Sequence, residues 1–218
     1  MKRINQFLTA VLLVALVAFN ADAQQDKKQK KAITKDIKEK AMKDARKEAK
    51  SIEKADWYTI PGTMPLAKQV ERAWMKEYQV DDEGYPSFYV GTGSSLAGTQ
   101  SAAKLQATTI AKQDLAGKIS SSIASIIETN ISTEQMTAED AATIQQTVSA
   151  STEVIAQKLA RVITLTELYR KQDKNIECQM RIAYSQELAK EAAKDVIKKN
   201  LEEKTNVTRE KLDKLMNF

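Results

Sequence analysis

Eight apolar side chains recur every four residues along one stretch: Ala103, Ala107, Ala111, Leu115, Ile119, Ile123, Ile127 and Ile131. A four-residue step turns about 400° on an ideal helix, so the row precesses by about 40° at each step. The row is small at one end and bulky at the other. It therefore predicts one long helix whose Ala half lies close on a sheet and whose Ile half pairs with another helix. Gly117 lies inside it and reads as a place where another backbone comes near.

The next segment keeps the helical period. Thr137 and Asp140 form a candidate capping pair, followed by Ala141, Ile144, Val148, Ser151, Ile155 and Leu159. The two segments predict a helical hairpin turning near Asn130–Gln135. The period then falls to two. Val162–Arg170 is rich in β-branched and apolar residues. After Gln172-Asp173-Lys174-Asn175, Ile176, Cys178, Met180, Ile182 and Tyr184 alternate with Glu177, Gln179, Arg181 and Ala183. That alternation predicts a β-hairpin with one buried face and one more polar face. Ser185 is placed to cap a closing helix whose core face is Ala189, Ala192, Ala193, Val196, Ile197 and Leu201.

Upstream, Phe88–Gly91 has strand composition and ends in Gly91-Thr92-Gly93-Ser94-Ser95, read as a tight turn. The predicted class is α+β: a long helical hairpin and a C-terminal helix packed in two layers on a small sheet of about three strands, preceded by a charged N-terminal helix. The divisions expected are residues 1–23 as a signal peptide, 24–56 as a basic helical arm, 57–85 as a connector with a short amphipathic helix (Leu66, Val70, Trp74, Tyr78), 86–200 as the α+β domain and 201–218 as a charged tail.

The first residues predict export. Lys2 and Arg3 precede a thirteen-residue apolar run, Phe7–Phe19, and Ala21-Asp22-Ala23 offers a small-x-small cleavage site. Thirteen residues fall short of the roughly 20 that span a bilayer core. The mature chain would start at Gln24 and lie in the periplasm or against the outer membrane. No Cys follows the apolar run, which leaves no lipid anchor of the lipobox kind.

Charge is uneven. Lys27–Lys54 holds 12 basic and 5 acidic side chains on a helix-forming composition, while the rest of the mature chain is slightly acidic. The segment reads as a solvated helix that either docks loosely or projects. The chain has no His and one Cys, Cys178. Without His there is no Ser-His or Cys-His pair and no Cys/His zinc set. One thiol cannot form an internal disulfide. Cys178 shares the apolar face of its strand and reads as buried and inert.

The order of a strand, the Gly91–Ser95 element, an Ala-rich helix containing Ala111-Lys112-Gln113-Asp114-Leu115-Ala116-Gly117-Lys118-Ile119, a second helix, the Val162–Tyr184 hairpin and a closing helix resembles the twenty-kilodalton LPP lipoprotein family of Gram-negative envelopes. The likeness covers roughly Pro86 to Asn200. It implies an α+β fold and an envelope location, and no catalytic residues. Family members are often lipidated at an N-terminal Cys, which this chain lacks.

Sharper readings weaken on inspection. Gly91–Ser95 lacks the third Gly and the Lys of phosphate-binding loops. A Ser-Lys pair between Ser94 or Ser95 and Lys112 or Lys118 has no supporting signature. Asp114 and Glu128 lie fourteen residues apart on one helix, about 21 Å, too far for paired-carboxylate glycan hydrolysis. Asp81-Asp82-Glu83 lacks the ligand spacing of a calcium loop. The candidate interaction residues are Lys43, Arg46, Lys47 and Lys50 of the basic arm with Trp57, Tyr58 and Trp74 of the aromatic-rich connector. No catalytic residue, cofactor or metal site is assigned. The expected role is a non-enzymatic envelope binding or structural module. Its partner would be an envelope protein or an anionic glycan rather than nucleic acid, with peripheral membrane contact and homo-oligomers compatible with the sequence. The alternatives are an envelope enzyme using carboxylates or a Ser-Lys pair, and a periplasmic adaptor or chaperone whose basic arm grips an acidic partner.

Overall fold

The computed structural model describes residues 35, 39–40, 42–82, 84–133, 137–204 and 213–215. The expected signal peptide and much of the basic arm lie outside them. The chain divides at Asp44 into two units, 1–44 and 45–218. In the first, Lys35, Glu39, Lys40 and 42–44 are helical, with Lys35 and Glu39 forming an exposed ion pair at 3.9 Å.

The second unit is α+β. Its elements run α1 (45–54), α2 (Leu66–Glu77), β1 (Phe88–Ala97), α3 (Gln100–Thr133), α4 (Ala138–Ala150), α5 (Thr152–Lys158), β2 (Ile163–Gln172), β3 (Asn175–Ser185) and α6 (Gln186–Lys204). The three strands form an antiparallel sheet in the order β1-β3-β2.

The long α3 divides its labour as its side chains dictate. Ala103, Ala107, Ala111 and Leu115 are fully buried near β1. Ile119, Ile123 and Ile127 are buried in one core cluster with Ile144 and Val148 of α4, Ile155 of α5 and Val196, Ile197 and Leu201 of α6. Thr137 caps α4 by accepting from the Asp140 N–H at 3.1 Å, while its own hydroxyl donates to the Asp140 carboxylate at 2.8 Å.

Three expectations are corrected. First, Gly91–Ser95 is not a turn: β1 continues through it to Ala97, and Gly91 and Gly93 pair with Ile182 and Met180 of β3. A ten-residue ladder outweighs the poor strand propensity of Gly. The reason for glycine is α3: a Cβ on Gly93 would stand 2.1 Å from the Ala107 carbonyl oxygen, and one on Gly91 would stand 2.4 Å from that of Ala111. Gly117, where close packing was expected, has nothing within 4 Å of such a Cβ.

Second, the helix expected through Leu159 breaks at Ser151. This side chain is wholly buried, donates to the Thr147 carbonyl at 2.7 Å and accepts from Asn200 Nδ2 at 2.8 Å. A serine hydroxyl competing for a helical carbonyl bends the helix, and Asn200 pins the bend onto α6.

Third, the fold has three layers rather than two. Helices α1 and α2 cover the sheet face expected to be polar. Ala45, Ala49, Leu66, Val70 and Leu168 form one cluster there, and Ala73, Leu165 and Ala183 another. A bulge between Thr164 and Thr166 accompanies the burial of Leu165 against α2.

Both sheet edges are occupied along part of their length. Tyr58 exchanges backbone hydrogen bonds with Tyr169 of β2, at 2.8 and 2.9 Å. On β1, Asp114 accepts the Thr92 N–H at 2.9 Å, and Lys118 donates to the Val90 carbonyl at 2.7 Å and to Asp114 at 2.9 Å. Side chains of α3 thus take up outward backbone groups that would otherwise template another strand.

Candidate functional site

Within the second unit, Arg46, Lys47, Lys50, Trp57, Tyr58 and Trp74 do not form one patch. Lys43 lies in the first unit, exposed on its helix. Lys47 and Lys50 are exposed on α1. The aromatic side chains mostly hold the fold together. Trp57 packs on the α1–α2 cluster beneath the Arg170 guanidinium, 4.7 Å from its ring centre. Arg170 is itself held by Glu177 at 2.7 Å. Tyr58 is the edge bridge. Trp74 donates its indole N–H to Glu48 and stacks on Tyr78.

Arg46 is placed differently. Its Nε lies 3.5 Å from Glu71 on α2, and Lys68 reaches the other oxygen of that carboxylate at 2.7 Å. The Glu71 side chain is only 10% exposed, whereas those of Arg46 and Lys68 are about two-thirds exposed, at 66% and 65%. The hydrogen bond from Lys68, reinforced by Arg46, holds the Glu71 carboxyl below its ordinary value despite desolvation.

This arrangement grows out of the α2 pattern. Leu66, Val70 and Trp74 lie four residues apart and turn toward α1 and the sheet. Lys68, Arg72 and Lys76 have the same spacing, offset by two residues, or about 200° around the helix. Lys68 and Arg72 are exposed there and Lys76 is half-buried. Met64, Met75 and Gln79 join them around a shallow open hollow with Glu71 in its wall. Met64 and Met75 are 43% and 45% exposed. Lys76 stands 4.0 Å over the Phe88 ring and donates to Gln79 at 3.0 Å. Arg72 is exposed and has no carboxylate partner among the described residues. Gln69 fixes the start of the helix, donating to the Met64 carbonyl at 2.7 Å and accepting the Glu167 N–H at 2.8 Å. The result is a ridge of four cations, Arg46, Lys68, Arg72 and Lys76, around one sequestered carboxylate and flanked by two thioethers.

Reading the connector for its aromatic residues missed this ridge. The signal was present in the four-residue spacing of Lys68, Arg72 and Lys76, out of phase with the apolar row.

Ser94 and Ser95 lie within β1 on opposite faces. Ser95 donates to the Ala103 carbonyl at 2.6 Å, and Ser94 lies 3.4 Å from Glu177. Lys118 is committed to Val90 and Asp114, so the structure does not bring it to either serine. Asp114 and Glu128 sit fourteen residues apart on α3. Cys178 is wholly buried beside Tyr169, its strand partner, and burial pushes its thiol up to about 11. Tyr169 is also fully buried. Burial raises its phenol well above the ordinary range, assisted by its hydrogen bond to Glu167 at 2.7 Å; Lys104 pairs with that carboxylate at 2.9 Å. Among the described residues no group of three or more His, Cys, Asp or Glu is placed to hold a metal ion, and no helix is long and apolar enough to cross a membrane. No protein-family model, characterised protein or solved structure matches this chain.

Proposed function

We propose that this chain is an exported, non-enzymatic module of a Gram-negative envelope that acts by binding, in the periplasm or against the outer membrane. The observation that carries the binding reading is the outward face of α2. A helix that needs only one apolar side to dock on the sheet presents on its other side three cations at regular spacing, two exposed methionines and an adjoining Arg46. Arg46 and Lys68 spend part of their charge on Glu71 and Lys76 lies over Phe88, but Arg72 and the two methionines have no such contact among the described residues, and the cationic face as a whole suits an anionic envelope component. Support for the location comes from the Lys2–Ala23 export pattern and from the resemblance of Pro86–Asn200 to the LPP lipoprotein family.

The test of the non-enzymatic reading is a screen of the purified protein against envelope hydrolase and transferase substrates, including peptidoglycan, glycans and phosphate esters. The reading expects no turnover above buffer. Robust turnover abolished by a single substitution, for example at Ser94, Asp114 or Glu167, overturns it.

A further inference from the structure

We propose that the α2 ridge docks on an anionic phospholipid surface, a proposal that deepens the binding reading and rests on it. Three features select this occupant. The first is charge. Lys68, Arg72 and Lys76 are presented over about 12 Å of helix, eight residues at 1.5 Å each, with Arg46 beside them. The single intervening carboxylate, Glu71, is turned inward and saturated by Lys68 and Arg46, so the exposed surface is cationic. Arg72, in the middle, is free of any carboxylate partner among the described residues.

The second feature is shape. The hollow is lined by α2 together with Met64 just before it and Gln79 just after it. All of its lining comes from one helix and the residues flanking it, a poorer enclosure than the clefts that bury small ligands. A broad, planar array of phosphates needs no wall. The third is the apolar component. Met64 and Met75 stand exposed among the cations, where flexible thioether side chains can enter the headgroup layer while the Lys and Arg stems keep their charges among the phosphates. The exposed Asp81 and Asp82 end the cationic face just beyond Gln79.

The experiment uses the protein as a Gram-negative host yields it, with its N-terminus read first so that failure of export is recorded separately. Sedimentation is compared on vesicles of phosphatidylcholine alone and of three parts phosphatidylcholine to one part phosphatidylglycerol. The proposal expects binding only to the second kind, falling as salt rises. Arg72→Ala should weaken binding about fivefold, the effect of one cation near an anionic surface, and Met75→Ser should weaken it further. Lys199→Ala, which removes an exposed charge from α6, should leave it unchanged. Arg72 and Met75 are exposed, so both variants should fold; thermal unfolding checks this. Equal binding to both vesicles, no binding to either, or equal loss with Lys199→Ala overturns the proposal. Capture of an envelope protein that depends on Arg72, without vesicle binding, also overturns it in favour of a protein interface.

Discussion

Arg181 of β3 reaches across the sheet face to Glu48 of α1, donating to one carboxylate oxygen at 2.9 Å, while the Trp74 indole of α2 donates to the other. One carboxylate thus binds α1, α2 and the sheet together. Both side chains of the ion pair are about one-quarter exposed, and a hydrogen bond to a charged group in such a place contributes about 1.5–3 kcal/mol. Glu48→Ala should lower stability to urea by about 2 kcal/mol, leaving the guanidinium and the indole without their acceptor. Glu48→Gln, which retains an acceptor oxygen, should cost less. A double-mutant cycle with Arg181→Ala measures the coupling, and a coupling near zero would contradict this role.

Gly93→Ala should be among the most disruptive small substitutions in the chain. Its Cβ would meet backbone atoms of α3, the Ala107 carbonyl at 2.1 Å and the Ala111 nitrogen at 2.5 Å, and backbone cannot rotate aside as a side chain can. Separating α3 from β1 would also loosen the fully buried Ala103, Ala107 and Ala111. A loss of about 3 kcal/mol or more is expected, at the upper end of overpacking effects. Gly117→Ala supplies the contrast: with open space at its Cβ, it should stabilise by about 0.5–1 kcal/mol through helix propensity. Thermal unfolding of the two variants should move in opposite directions.

These glycines mark where the sequence stops speaking plainly. The Ala-to-Ile gradient of α3, the Thr137 cap and the Ile176–Tyr184 alternation are local or periodic, and each finds its place in the fold. The strand character of Gly91–Ser95 is not local. It comes from ten pairings with β3, from Ala97 with Ile176 to Phe88 with Ser185, about eighty or more residues later in the chain. Burial of the second sheet face was hidden because the fully buried side chains that α1 offers are methyl groups, Ala45 and Ala49, with Ile52 only partly buried beside them. Those look too slight to dock until Leu168 and Val70 are placed opposite them. The cationic ridge was obscured for a different reason: Arg46 and Lys68 meet only through Glu71, and Arg46 lies 25 residues from it in sequence.

Acid should weaken the protein through Asp114 and Glu71. Burial opposes ionisation of Asp114, but the Thr92 N–H and the Lys118 ammonium outweigh it and leave the carboxyl below its ordinary value. Glu71 is lowered chiefly by its hydrogen bond from Lys68. A folded-state value below the unfolded one means that the folded protein binds these protons less tightly. The stabilisation is therefore present above about pH 4, the ordinary carboxylate range, and is lost as pH falls through the lower folded values. Urea midpoints should fall between about pH 5 and pH 3 in the native sequence. In Asp114→Asn/Glu71→Gln they should start lower and fall less over the same interval.

The thiol of Cys178 should report on opening of the core. Burial raises it to about 11 and keeps it as the unreactive neutral form at pH 8. Reaction with a disulfide reagent should be slow in the folded protein and complete within seconds in urea. Its folded value lies above the unfolded one, so this group's contribution to stability is intact below about pH 8.5 and declines as pH rises toward 11. Prompt labelling of the native protein at pH 8 would contradict the complete burial of Cys178 in the core that α3 shares with the sheet.

Intact mass after cell fractionation is the decisive measurement for the proposed export to the envelope. The chain should leave the cell interior with the periplasmic or outer-membrane fraction and have the mass of Gln24–Phe218. Recovery from the cytosolic fraction with the mass of the whole sequence from Met1 would contradict it.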